Sequence, residues 1–189
     1  MRSLLIALIG GLIFGCAPPA EQAAADPDPS GYSIASQEFV DITKDFLTQM
    51  AAFDFEAWGE VLADDVEYYF PDGDQDTRTK LIGKEAVLGW WNNWKSTSGV
   101  ESMTIGSENV IPIHSTNVQS TTGLAGTYTL AWFTTGMSLD NGNSTSFRMN
   151  MDMHYNDAKK IDRIFTYYDR SGIIKAMGIN ILDSPEEVM

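Results

Sequence analysis

The segment SFRMNMDMHY, Ser146 to Tyr155, alternates residue by residue between two chemistries. Phe147, Met149, Met151, Met153 and Tyr155 fall on one parity, and Arg148, Asn150, Asp152 and His154 on the other. A period of two over ten residues is that of a β-strand whose faces meet different surroundings. If the apolar face packs the core, the polar face is solvated surface. If the polar face lines a cavity, Asp152 and His154 become candidates for chemistry.

The preceding turn bears on the choice, because a slip of one residue in strand pairing exchanges the faces. LDNGNS holds Asn141-Gly142, a strong two-residue hairpin signal. A loop of those two residues places Ala131 opposite Asp152, Thr129 opposite His154 and Phe133 opposite Asn150. A following loop at Asp157-Ala158-Lys159 brings Ile164 beside Asp152 and Asp162 beside His154. In this register one face carries Met149, Met151, Met153, Leu130 and Trp132, and the other carries Asn150, Asp152, His154, Phe133, Ile164 and Tyr168. Both are too apolar to be left wholly to water.

Upstream the period changes. Phe39, Ile42, Phe46, Leu47 and Met50 form the stripe of an amphipathic helix. Asp54 is placed to cap a second helix carrying Phe55, Trp58, Val61 and Leu62. VEYYF, Val66 to Phe70, reads as a strand closed by Pro71-Asp72-Gly73. After Gly83, Val87, Trp91 and Trp94 keep helical spacing. Strands then follow in MTIGSENVIPIH, LAGTYTLAWFTT, the opening segment and KIDRIFTYYD, with a short tail helix near 172–177. Helices followed by an antiparallel meander predict an α+β domain.

The N-terminus reads MRSLLIALIGGLIFGC, an apolar run too short to span a bilayer and typical of an export signal. Ile13-Phe14-Gly15-Cys16 resembles a bacterial lipobox, with Phe14 larger than usual before the glycine. The resemblance implies a signal at 1–15, an acylated Cys16 with a solvated tether at 16–32, and a domain at 33–189. Ala17 resembles the sorting residue of lipoproteins held at the outer membrane facing the periplasm, so contact with membrane is expected through the anchor alone. A formal charge of −14 argues against nucleic acid and anionic lipid as partners.

DFEAWGEVLADDVEYYFP, Asp54 to Pro71, resembles the opening signature of SnoaL-like and ketosteroid isomerase-like families in the nuclear transport factor 2 superfamily, and Met151 to Asp169 resembles their closing hairpin. The resemblance implies a cone-shaped α+β barrel in which a curved antiparallel sheet wraps around helices and encloses a pocket, with dimers formed through the other sheet face. It assigns the Asp152 and His154 face to the pocket. It assigns the Met149, Met151, Met153 and Trp132 face to a second copy.

Matched without gaps, the isomerase base position is Phe70 and the tyrosine position Phe46; only the acid position, Asp152, keeps its type. Phenylalanine transfers no proton, so steroid isomerisation is not expected. Two readings follow. One is a module that binds a small hydrophobic molecule, with Asn150, Tyr68, Phe70, Phe133, Ile164, Tyr168 and Trp91 lining the site. The other is a cofactor-independent lyase, isomerase or cyclase using Asp152 as acid or base and His154 as its assistant. No cofactor or metal motif appears: DGDQD at 72–76 lacks the acid that a calcium loop needs at its twelfth position, and His114 has no ligand spacing around it.

Overall fold

The computed structural model describes residues 30–72 and 79–178. The signal, Cys16, the tether up to residue 29, most of the DGDQD turn and residues 179–189 lie outside the described residues. In chain order the elements are β1 (Tyr32–Ile34), α1 (Gln37–Ala52), α2 (Phe55–Val61), β2 (Leu62–Tyr69), β3 (Lys80–Ile82), α3 (Lys84–Thr97), β4 (Val100–Ser115), β5 (Gly126–Leu139), β6 (Ser144–Tyr155), β7 (Ile161–Tyr168) and α4 (Ser171–Met177). The strands form one sheet in the order β1-β4-β5-β6-β7-β2-β3. The expected α+β architecture is present. The sheet is mixed rather than wholly antiparallel, because β2 runs parallel to β7.

The helices follow their sequence signals. Ser36 caps α1 through Glu38 N–H, and Phe53 closes it in the left-handed conformation with its N–H shared between Gln49 and Met50 carbonyls. Asp54 caps α2 by accepting from Ala57 N–H at 3.0 Å. The buried stripe of α1, with Val40, Phe46, Leu47 and Met50, packs on the sheet. Its one buried polar member, Thr43, is satisfied by Phe39 O, Thr129 and the Tyr155 hydroxyl. Burying each large apolar side chain here stabilises the fold by about 1.5–3 kcal/mol. β1 and β3, at three residues each, are too short to show a period and were not legible as strands. In β4 the ladder shifts register between Gly106 and Asn109, with Ser107 at φ 56°, a bulge that bends the sheet.

The β5–β6 hairpin departs from the expected turn, and the departure decides the faces. Leu139 N–H bonds Asn143 O, while Gly142 N–H returns to Leu139 O. Gly142 alone in this loop has positive φ, 79°, so Asp140-Asn141-Gly142 forms a three-residue loop rather than a two-residue one. The added residue slips the ladder by one. Leu130 lies opposite Asp152, Tyr128 opposite His154 and Trp132 opposite Asn150. Asp152 then pairs with Phe165 on β7, and Met153 with Ile164.

The assignment of faces is thereby reversed. Met149, Met151 and Met153 join Ala131, Phe133, Ile164 and Tyr168 on the inner face, under the helices; Met151 and Met153 are fully buried. They are core, not a surface offered to a second copy. Trp132, expected to stand with them, is on the outer face and 42% exposed.

Candidate functional site

The inner face is longer than the helices can fill, and between its open end and helices α3 and α4 lies a cavity of about 380 Å³. Helix α3 contributes Trp90, Trp91 and Trp94, and α4 contributes Ile173, Ile174 and Met177. The sheet supplies Met103 from β4, Thr135 and Met137 from β5, Phe147 and Met149 from β6, and Tyr168 from β7. Phe70, just beyond β2, and Met50 of α1 close the back. The three α3 tryptophans pack on one another, with Trp91 edge-on to Trp90 at 5.1 Å and to Trp94 at 5.3 Å. Methionines on the opposing wall give it adaptable, polarisable packing.

Polar groups are few and graded by depth. Trp91 Nε1 and Thr135 Oγ1 are buried without a hydrogen-bond partner, although the two residues line the same cavity. An unmade hydrogen bond of this kind is costly to the fold. At the rim Arg170 Nη1 pairs with Asp72 Oδ2. Bonding to Asp72 raises the Arg170 pKa. Burial pushes the Tyr168 hydroxyl up, with Arg170 lowering it in part and Asp72 adding to the rise. Asp72, Arg170 and Tyr168 are the ionisable groups among the described lining residues.

Of the residues expected at the site, Phe70, Trp91 and Tyr168 line the cavity. Tyr68, Phe133 and Ile164 are on the same side of the sheet but buried in the core beside it. Burial also drives the Tyr68 hydroxyl well above its ordinary range. Asn150 and Asp152 are on the opposite face, where Asn150 Nδ2 donates to Asp152 Oδ1 at 3.1 Å. The one-residue slip puts Met151 and Met153 where an inner acid was expected.

His154 and Asp162 do meet: Nδ1 and Oδ1 are 2.5 Å apart. The other ring nitrogen lies 3.1 Å from Ala125 O, and Gly126 leaves the room, since a Cβ there would come within 2.8 Å of His154 Nε2. This pair ties β6 and β7 to the β4–β5 connection and does not line the cavity. Sequence reasoning missed Arg170, Thr135 and the α4 residues as site residues. Only the tryptophan spacing on α3 carried a readable signal. Among the described residues there is no cluster of three or more His, Cys, Asp or Glu able to hold a metal, and no helix long and apolar enough to cross a membrane.

No family model matches the chain, and no curated protein sequence matches it significantly. Solved structures do. A nuclear transport factor 2-like protein of unknown function from Burkholderia pseudomallei K96243 superposes with a TM-score of 0.59 at 13% identity, covering 75% of this chain and 98% of that one. A protein provisionally described as a polyketide cyclase, from Xanthomonas campestris pv. campestris, gives 0.58 at 15% identity over 75% and 97% of the two chains. A hypothetical protein with a ketosteroid isomerase-like fold from Catenulispora acidiphila DSM 44928, solved in complex with trimethylamine, gives 0.53 at 17% identity over 77% and 98%. Likeness at these identities is likeness of fold.

Proposed function

We propose that this chain, which has the nuclear transport factor 2-like fold, is a binding protein for a small hydrophobic molecule held in the cavity beneath α3 and α4. The observation that carries this reading is the wall itself: tryptophan and methionine surfaces enclose about 380 Å³. Mostly apolar walls with a few directed polar groups are the usual make-up of a small-molecule site. Binding is favoured over catalysis because the one carboxylate among the described lining residues, Asp72, is already paired to Arg170. The Asp152-centred acid–base reading loses its support with Asp152 on the other side of the sheet.

Saturable quenching of tryptophan emission tests it. An uncharged aromatic probe such as 1-naphthylacetamide quenches through Trp90, Trp91 and Trp94 if the cavity is a binding site; quenching that never saturates refutes the reading.

Two further proposals concern place and assembly. The lipobox-like run ending at Cys16 supports anchoring to the cell envelope, with the domain facing the periplasm. Fractionation of Cys16→Ala tests this: release from the membrane is expected, and unchanged membrane association refutes it. For the outer face the occupant proposed is a second copy, now through Trp132, Tyr167 and Ile111, which are 42%, 42% and 37% exposed and lie together on β4, β5 and β7. Sedimentation of wild type and Trp132→Lys decides it. A monomeric wild type at micromolar concentration refutes the dimer.

A further inference from the structure

The polar inventory of the cavity is lopsided. Trp91 Nε1 and Arg170 can only donate; Thr79, Thr135 and Tyr168 carry hydroxyls that can donate; Asp72 is the sole group among the described lining residues that, ionised, can only accept. Hydroxyls serve either role, so the obligate groups decide, and with Arg170 the one cation among them the site is complemented by a ligand that carries acceptor oxygens. The depth of each group adds direction. Trp91 and Thr135 are at most 5% exposed, whereas the side chains of Arg170 and Asp72 are 47% and 36% exposed. The cationic end of the site is therefore its rim.

We propose that the ligand is an apolar carboxylic acid whose headgroup takes Arg170 from Asp72 at the rim while its body fills the tryptophan and methionine cavity. This rests on the binding reading above. Three features of the rim favour the exchange. An ion pair this exposed adds little net stability, so replacing one carboxylate by another at Arg170 is close to neutral, and the apolar body tips the balance. Arginine receives a carboxylate through paired N–H donors. The other nearby acid, Asp169, is held away by Ser171, whose backbone N–H and hydroxyl it accepts at 2.9 and 2.8 Å. Tyr168 lines the same cavity, and its hydroxyl adds a further group able to donate a hydrogen bond. The chain's overall negative charge opposes an anion only at long range, and physiological salt screens it over about 8 Å.

Tryptophan quenching of the full chain at pH 7 with three matched probes tests the proposal: 1-naphthylacetate, 1-naphthylacetamide and 1-naphthylmethylammonium. The acid is expected to bind about tenfold tighter than the amide. Arg170→Gln should bring the acid-to-amide ratio near one, while Arg170→Lys, which keeps the charge and loses the fork, should keep part of the preference. Asp72→Asn removes the competing carboxylate and should tighten acid binding several-fold. Equal affinities for acid and amide would overturn the proposal and leave the binding reading standing. Tightest binding of the ammonium, abolished in Asp72→Asn, would overturn it in favour of a cation held by Asp72 and the rings. Failure of all three probes to saturate refutes the binding reading and the proposal with it.

Discussion

The two faces of β6 are written in one strand by alternating residues, yet they live in different physical worlds. Inward, Met151 and Met153 are fully buried in the apolar core, so their energetics are chiefly those of close packing. Outward, Asn150 and Asp152 bond each other within a half-covered field of aromatic and charged groups. There Tyr69 stacks on Phe165 at 4.4 Å, and Glu67 meets Tyr69 and Lys80. The cavity belongs to the inner face, although Arg148, Asp152 and His154, the charge-bearing side chains of β6, point the other way. The charged groups of β6 do not mark the site in this molecule; packing surface left over by the helices does.

That contrast breaks first at adjacent positions. Met151→Lys buries an unpaired charge and should cost roughly 3–5 kcal/mol or more, enough to leave much of a marginally stable domain unfolded. Asp152→Lys, one residue on, sits at a partly exposed position on the outer face and should cost clearly less, about 1–2 kcal/mol. Urea midpoints measure both, and similar losses would mean the faces are not distinct. A gentler version removes only volume. Met153→Ala should cost about 2–5 kcal/mol in the same assay, while Trp132→Ala should change the monomer's stability by less than about 1 kcal/mol.

The origin of the contrast lies in the turn. Gly142→Ala places a Cβ at φ 79°, and strain of about 1 kcal/mol or more is expected as a lower thermal midpoint with the fold retained. An unchanged midpoint would argue against the three-residue loop. The smallest effect is electrostatic and confined to the outer face. Glu67 is held below its usual value of 4.5, chiefly by the Tyr69 hydroxyl and then by Lys80. A depressed carboxyl stabilises the fold above its unfolded value and loses that contribution as pH falls through the folded value. Wild type should therefore exceed Glu67→Gln in stability at pH 6, and the gap should narrow progressively as pH falls below 4.5. A gap independent of pH would show that the carboxylate charge is not what matters.

Much of the fold could be read from period and caps. Phe39 to Met50, Asp54 and the tryptophans of α3 announced their helices, and the meander followed from alternating strands. What could not be read was the face assignment, because it hung on whether Asn141-Gly142 made a two-residue or a three-residue loop. Local sequence supports both, and long-range packing of Met149, Met151 and Met153 under the helices is consistent with only one. Trp91 was legible from helical spacing and Phe70 only through the resemblance; Tyr168 was expected on the cavity side from a register that the structure reverses, so it lines the cavity beside Met149 rather than on the Asp152 face. Arg170 was not legible, since a single arginine after a strand carries no period, and its meaning arises only from the approach of Asp72, distant in sequence.

The claim that the site lies on the methionine side of the sheet is tested most directly by one titration in two variants. Met149→Trp fills the cavity from its inner wall, and Asp152→Asn removes the only acid of β6. With 1-naphthylacetamide as probe, the account predicts that Met149→Trp weakens saturable tryptophan quenching at least tenfold while Asp152→Asn binds like wild type. Binding that survives Met149→Trp and is lost in Asp152→Asn would place the site on the outer face and contradict the account.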